Sequence, residues 1–306
     1  MAIFTTNIFF GLNIPIAKTL LPDWISPLGL TFLRMAFGAL AFWLTSLFIK
    51  TEKVGKRDMI TLFFCSLLGI SINQTFFLFG LEGTSPIDAG LIVTMNPVLV
   101  MLIAAMVLRE PITFQKAGGV FVGACGALLI IWQSAHLNAG QSSSLAGNLL
   151  CLVSSVSYCT YLVISRPIAQ RYHSVTLMKW MFLFSTIILF PFSVNEVQEA
   201  RVFSAETNGE AISALVYVLV GATFLAYLLI PMALKRIRPT TISMYNYLQP
   251  IIAGVASIII GQSTLTWDKP VATVLIFTGV YLVTQSKSRA DVERMQENLS
   301  KRKKHS

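Results

Sequence analysis

Residues 85–97 read SPIDAGLIVTMNP, and residues 238–250 read RPTTISMYNYLQP. Each segment has proline second and last, and each final proline follows a carboxamide: Asn96-Pro97 and Gln249-Pro250. The two lie 153 positions apart. A pattern that returns at a fixed long interval marks a repeated structural unit. An odd number of apolar spans separates equivalent points, so the two units face opposite ways across a bilayer. Inverted repeats with helices broken at mid-membrane are one way secondary transporters build a central site that opens to either side.

Composition carries the same message. Of 306 residues, 55% are hydrophobic and 12% charged, with a mean hydropathy of +0.70. A soluble domain carries roughly twice that charge. The apolar residues come in runs of about 20, the length that crosses a hydrocarbon core as helix. A β-barrel would alternate over ~10-residue segments instead. The expectation is an all-α membrane protein of ten transmembrane helices, arranged as two inverted five-helix repeats. The spans are predicted at 3–21, 27–49, 59–80, 86–108, 114–133, 147–166, 174–194, 211–233, 240–260 and 270–286. The first repeat then covers 1–133 and the second 147–286, with an extracytoplasmic linker at 134–146 and a basic cytoplasmic tail at 287–306.

Lysine and arginine assign the sides. One set of loops holds Lys50, Lys53, Lys56, Arg57, Arg109, Lys116, Arg166, Arg171, Lys235, Arg236 and Arg238; the opposite loops hold Arg201 and Lys269. The first set is read as cytoplasmic, with both termini inside and the protein in the cytoplasmic membrane. The net charge of +9 is therefore a matter of topology, and no nucleic-acid partner is expected. The first span begins almost at Met1 without a basic region or a cleavage site, and reads as a retained helix rather than a signal peptide.

Several chemistries lack their signatures. No loop is long enough to fold as an ATPase module, and no Gly-rich phosphate loop ending in Lys-Ser/Thr occurs. Cys65, Cys125, Cys151 and Cys159 all fall in apolar spans, form no Cys-x-x-Cys pair and read as small core residues. The three histidines lie in loops or the tail, with no His-Glu-x-x-His segment. No metal or cofactor is expected, and no enzyme activity.

The residues also resemble a family. Asn13-Ile-Pro15-Ile-Ala-Lys18, Ser26-Pro27 followed by Phe32-Leu33-Arg34, Thr84 to Ala89 ahead of Asn96-Pro97, and Leu108-Arg109-Glu110 leading to Gly118-Gly119 together resemble EamA-domain proteins of the drug/metabolite transporter superfamily. The likeness covers essentially the whole chain as two consecutive units. It implies a ten-helix transporter of small metabolites, often an exporter of amino acids or toxic analogues, with a central cavity between the halves. One departure stands out: Gly261-Gln262-Ser263 replaces Arg109-Glu110 in the second unit.

The residues themselves nominate a site. Proline frees the carbonyl one turn back, near Val93 in the fourth span and near Asn246 in the ninth, and such groups need partners or a wet cavity in lipid. Asn96 and Gln249 supply polar equipment at those kinks, with Pro97 and Pro250 as hinges. Tyr245 and Gln249 are four apart and share a helical face; Asn246 points elsewhere. Tyr158 and Tyr161 share a face of the sixth span, and Tyr227 lies in the eighth. Such rings suit either a pocket for amphipathic solutes or ordinary packing. Asn73 and Gln74 interrupt the third span and are expected inside the bundle, one of them touching the substrate. Arg34 lies well inside the second span. It either attracts a substrate carboxylate or makes a structural ion pair, with Glu82 or Asp88, or snorkels. Lys18 has the same two readings. Lys179 and Trp180 read as a snorkelling cation in an aromatic belt. Glu110 reads as a helix cap or cytoplasmic gate element. The stripe Gly119, Gly123, Ala127 allows close packing, either within the chain or in a homodimer.

These residues point to a secondary transporter of small polar or amphipathic metabolites that works by alternating access; that it is an exporter, and that amino acids are among its solutes, is what the resemblance implies. Its partners would be the solute and the lipid bilayer. An intramembrane enzyme, or a passive channel or scaffold, is the alternative.

Overall fold

The computed structural model describes residues 2–49, 52–83, 92–137, 145–204, 208–249, 251, 252, 255 and 268–286. Among them only helices form. They are α1 (Ala2–Leu20), α2 (Pro27–Leu47), α3 (Lys56–Ser66), α4 (Asn73–Gly83), α5 (Asn96–Leu108), α6 (Phe114–Leu137), α7 (Leu145–Arg171), α8 (Ser174–Gln198), α9 (Gly209–Val216), α10 (Ala226–Leu234), α11 (Pro239–Met244) and α12 (Asp268–Gln285). A π-helical stretch, Leu67–Ile72, joins α3 to α4, and a second, Tyr217–Leu225, joins α9 to α10. Five helical segments are long and apolar enough to cross a membrane: Pro27–Leu47, Lys56–Gly80, Leu145–Arg171, Ser174–Ser193 and Gly209–Leu234. Two shorter apolar ones are Ile92–Leu108 and Pro270–Gln285. The chain is a multi-pass α-helical membrane protein.

Helix starts follow local chemistry. Pro27 occupies the first turn of α2, where its missing N–H costs nothing, and Ser26 caps that turn by accepting from Gly29 N at 3.0 Å. Asn208 caps α9 in the same way, accepting from Ala211 N at 2.8 Å. Pro239 opens α11.

Packing runs in antiparallel pairs. Along α2 and α8, Phe32 meets Phe190, Phe42 meets Phe182 and Trp43 meets Trp180, with ring centroids 6.0, 5.3 and 5.4 Å apart. Along α6 and α12, glycine lets backbones touch: a Cβ on Gly119 would sit 2.8 Å from the Gly279 carbonyl, and one on Gly126 2.8 Å from that of Ala272. Gly119 and Gly123 are thus used in a seam within the chain. The first π stretch lies against α7, where Gly69 faces the Tyr161 ring; the second lies against α1, where Gly221 faces Phe9. Ser157 Oγ donates to the Leu68 carbonyl at 2.7 Å, and Thr223 Oγ1 to Val218 O at 2.8 Å, so carbonyls of both widened turns find donors.

The basic loops meet at one end of the bundle. Arg171 and Tyr172 hold Asp58, Arg166 and Lys116 hold Glu110, and Arg238 donates to Ser286 O. Burial alone would raise the Glu52 carboxyl; bonds from its own backbone N–H, from the Thr176 hydroxyl and from His173 N hold it below its usual range instead. At the other end Val202 N bonds the Trp24 carbonyl and Arg201 lies over the Trp24 ring.

One expectation is corrected here. Cys65, Cys151 and Cys159 are buried, but Cys125 faces outward. The helical segment Ile92–Leu108 is interrupted beside Pro97. The helix breaks at Met95, whose N–H reaches back only to Ile92, and Pro97 sits in the first turn of a new helix. Pro250 lies outside the described residues.

Candidate functional site

The polar centre forms where α2, α4 and the second π stretch meet. Arg34, 3% exposed, donates from Nε to Thr223 Oγ1 at 2.8 Å, from one terminal nitrogen to Gln74 Oε1 at 2.9 Å, and from the other to Ala222 O at 3.4 Å. Gln74 Nε2 donates in turn to the Tyr227 hydroxyl at 2.7 Å and, more weakly, to Asn73 Oδ1 at 3.4 Å. Asn73 Nδ2 donates to Ser154 Oγ at 2.9 Å, while Ser154 Oγ donates to the Asn73 carbonyl at 2.8 Å. The Tyr227 ring is wedged edge-on between Phe10 and Phe182. One connected network therefore links five helical segments in a buried interior, where each satisfied bond is worth more than at a wet surface.

Arg34 consequently neither snorkels nor makes an ion pair among the described residues. Asp88 lies outside those residues, as does the Glu82 side chain. Asn73 and Gln74 are half-buried and diverge: one holds α7, the other joins Arg34 to Tyr227.

A second polar pair joins α1 to the end of the ninth span. Gln249 Nε2 donates to Asn7 Oδ1 at 2.9 Å, and Asn7 Nδ2 to Ile3 O at 2.9 Å. The helix tightens to 3₁₀ over Tyr245–Tyr247. That removes the four-residue stacking expected of Tyr245 and Gln249: Tyr245 packs into the apolar core while Gln249 turns to α1. Asn246 is buried. Asn96 is also buried; its Oδ1 has no partner, and its carbonyl accepts from Cys159 Sγ at 3.6 Å. Tyr161 is buried with its hydroxyl unpaired, and Tyr158 packs against it with centroids 6.1 Å apart. Lys18 lies on α1, its side chain outside the described residues.

Among the described residues these polar atoms bond chiefly one another; Arg34 is buried, while Asn73 and Gln74 are half-buried. A hollow of about 360 Å³ is lined by Leu68, Ile72, Leu152, Val153, Val156, Ser157 and Thr160.

The family model for EamA-like transporters matches residues 1–132 and 145–285. The chain belongs to that family. This EamA-like transporter is 23% identical to an uncharacterized transporter of Archaeoglobus fulgidus, over 86% of its own length and 91% of the relative's. It is 27% identical to the uncharacterized transporter YcxC of Bacillus subtilis over 73% and 72%, and 22% identical to a WAT1-related protein of Arabidopsis thaliana over 98% and 94%. A solved crystal structure matches with a TM-score of 0.71 at 18% identity, over 92% of this chain and 95% of that one, which shows a shared fold.

Two groups in this EamA-like transporter escape a reading of the sequence. Thr223 and Asn7 are polar residues in apolar spans, and that alone would have flagged them. Glu110, 6% exposed, is not the helix cap expected, since Thr113 Oγ1 accepts from Lys116 N at the start of α6; instead Lys116 Nζ lies 2.7 Å from one Glu110 oxygen and Arg166 2.8 Å from the other, with Thr240 Oγ1 at 3.5 Å. Lys179 is not snorkelling freely; its ammonium lies 4.9 Å over the Trp43 ring.

Proposed function

We propose that this protein is a secondary transporter that moves small amphipathic metabolites, amino acids among them, across the cytoplasmic membrane by alternating access. Two inverted five-helix halves rock about the buried polar network. One observation carries the reading. The contacts Gly119–Gly279 and Gly126–Ala272 are exchanged by a shift of 153 residues, and the helices that bear them run antiparallel. Segments related by an in-plane twofold axis must pair in this reciprocal, head-to-tail manner. The antiparallel α2–α8 pair, the two π stretches and the family match in two segments, 1–132 and 145–285, support the same axis.

The described state is then an occluded one. The solute site uses Asn73, Gln74, Asn96, Tyr158, Tyr161, Tyr227, Tyr245, Asn246 and Gln249 with Lys18 and Arg34, and hinging occurs at Pro97 and Pro250. The end rich in lysine and arginine faces the cytoplasm. Export is taken from the resemblance.

The test is counterflow. Proteoliposomes loaded with unlabelled L-leucine or L-phenylalanine should take up the labelled solute transiently above equilibrium, because a carrier exchanges solute across one alternating site. Dissipative flux at channel rates without that overshoot would overturn the rocking mechanism.

A further inference from the structure

Resting on the transporter reading above, we infer that the buried centre receives the carboxylate of an organic solute, with Arg34 as its counterion. A guanidinium carries five N–H donors and a permanent charge. Arg34 spends three donors on Thr223, Gln74 and the Ala222 carbonyl, all neutral acceptors. Two N–H groups find no acceptor among the described residues, and no carboxylate there pairs with it. Beside it, the Tyr227 hydroxyl accepts from Gln74 and likewise finds no described acceptor for its own proton. Among the described residues the centre thus holds more donors than acceptors around one buried positive charge. A buried ion with no counterion among them is costly, and an anion relieves both the charge and the surplus donors.

The geometry favours a carboxylate over a spherical anion. The planar fork of Arg34 matches two coplanar oxygens. Gln74 now bridges Arg34 and Tyr227, with its amide oxygen on one and its nitrogen on the other. Its departure would leave both donors facing the same space, where one carboxylate can bond to each. The Phe10 and Phe182 rings, with centroids 5.9 and 5.2 Å from that of Tyr227, make the surroundings of that hydroxyl apolar. The charge is not duplicated: 153 positions beyond Arg34 stands Ile187.

The experiment uses the full chain in detergent and in proteoliposomes. The probes are L-leucine, L-phenylalanine and 3-phenylpropanoate, each beside its uncharged or amide-capped counterpart, with sodium chloride as the inorganic control. Protection against heat unfolding by the carboxylates, at concentrations at least tenfold below those the amides need, supports the inference. Tyr227→Phe should narrow that gap, and Arg34→Lys should keep part of it. Arg34→Gln should abolish it, and the comparison on unmodified protein stands even if that variant fails to fold. Equal protection by acids and amides, protection by chloride as strong as by the acids, or none by any probe overturns the carboxylate site. Counterflow of the amides in those cases would leave the transporter reading intact.

Discussion

Gln74 and Tyr227 stand 153 residues apart and are hydrogen-bonded at 2.7 Å. The same interval separates Asn96-Pro97 from Gln249-Pro250. A residue can touch its own symmetry equivalent only on the axis that relates them. In the inverted-repeat reading this bond therefore marks the axis, and the two π stretches flank it.

A double-mutant cycle measures that coupling. Gln74→Leu leaves both Arg34 and Tyr227 short of a partner, and Tyr227→Phe strands a Gln74 amide proton. Each should cost about 1 kcal/mol, and the pair less than the sum, with an interaction term of about 0.5–2 kcal/mol. Unfolding in detergent of the two single variants and the double supplies the numbers; strict additivity would mean the bond holds nothing.

Asn96 and Gln249 should part company on stability while agreeing on transport. Asn96→Leu removes a buried oxygen that has no partner, so folding should be unharmed. Gln249→Leu strands Asn7 Oδ1 and should cost about 1 kcal/mol. Both should cut counterflow severalfold while the protein still reaches the membrane. Unchanged flux in both variants would remove the paired carboxamides from the solute path.

Much of this was legible from one chain. The run lengths, the basic loops and the recurrence of Asn96-Pro97 as Gln249-Pro250 are local features, and they led to a helical membrane protein of this family. Asn73 and Gln74 were drawn inside because a carboxamide facing lipid is expensive; both are half-buried and bond across to α7 and α2. Partners were not legible. Arg34 to Thr223 spans 189 residues and Gln249 to Asn7 spans 242, and no periodicity encodes which helices adjoin. The π stretches were invisible for a related reason: a widened turn costs one residue of register, and the Ser, Gly and Thr within it also occur in ordinary spans. Tyr245 and Gln249 were paired on α-helical geometry that the 3₁₀ turn cancels.

Neighbouring glycines offer a sharp contrast. Gly118 has open space where a side chain would go, whereas a Cβ on Gly119 meets the Gly279 carbonyl at 2.8 Å. Gly118→Ala should leave abundance and melting unchanged or raise the latter slightly, since alanine is the better helix former by about 1 kcal/mol. Gly119→Ala should force α6 and α12 apart and cost about 1–3 kcal/mol. Membrane abundance and detergent melting of the two variants decide it; equal behaviour would mean the seam is looser than drawn.

Glu110 binds a loop, α6, α7 and α11 together at the basic end through Lys116, Arg166 and Thr240. Glu110→Gln keeps the shape but leaves two cations facing each other, one of them buried, so about 3 kcal/mol should be lost. Replacing the pair together, with Glu110→Leu and Lys116→Met, should restore most of it: Arg166 is a quarter exposed and can hydrate, and apolar substitutes for a buried pair are often neutral. If the cluster also closes the cytoplasmic end, restored stability should not restore counterflow, because the closed state has lost its fastening. Melting measures the first effect and flux the second. A double variant that is both stable and fully active would reduce the cluster to a structural clasp.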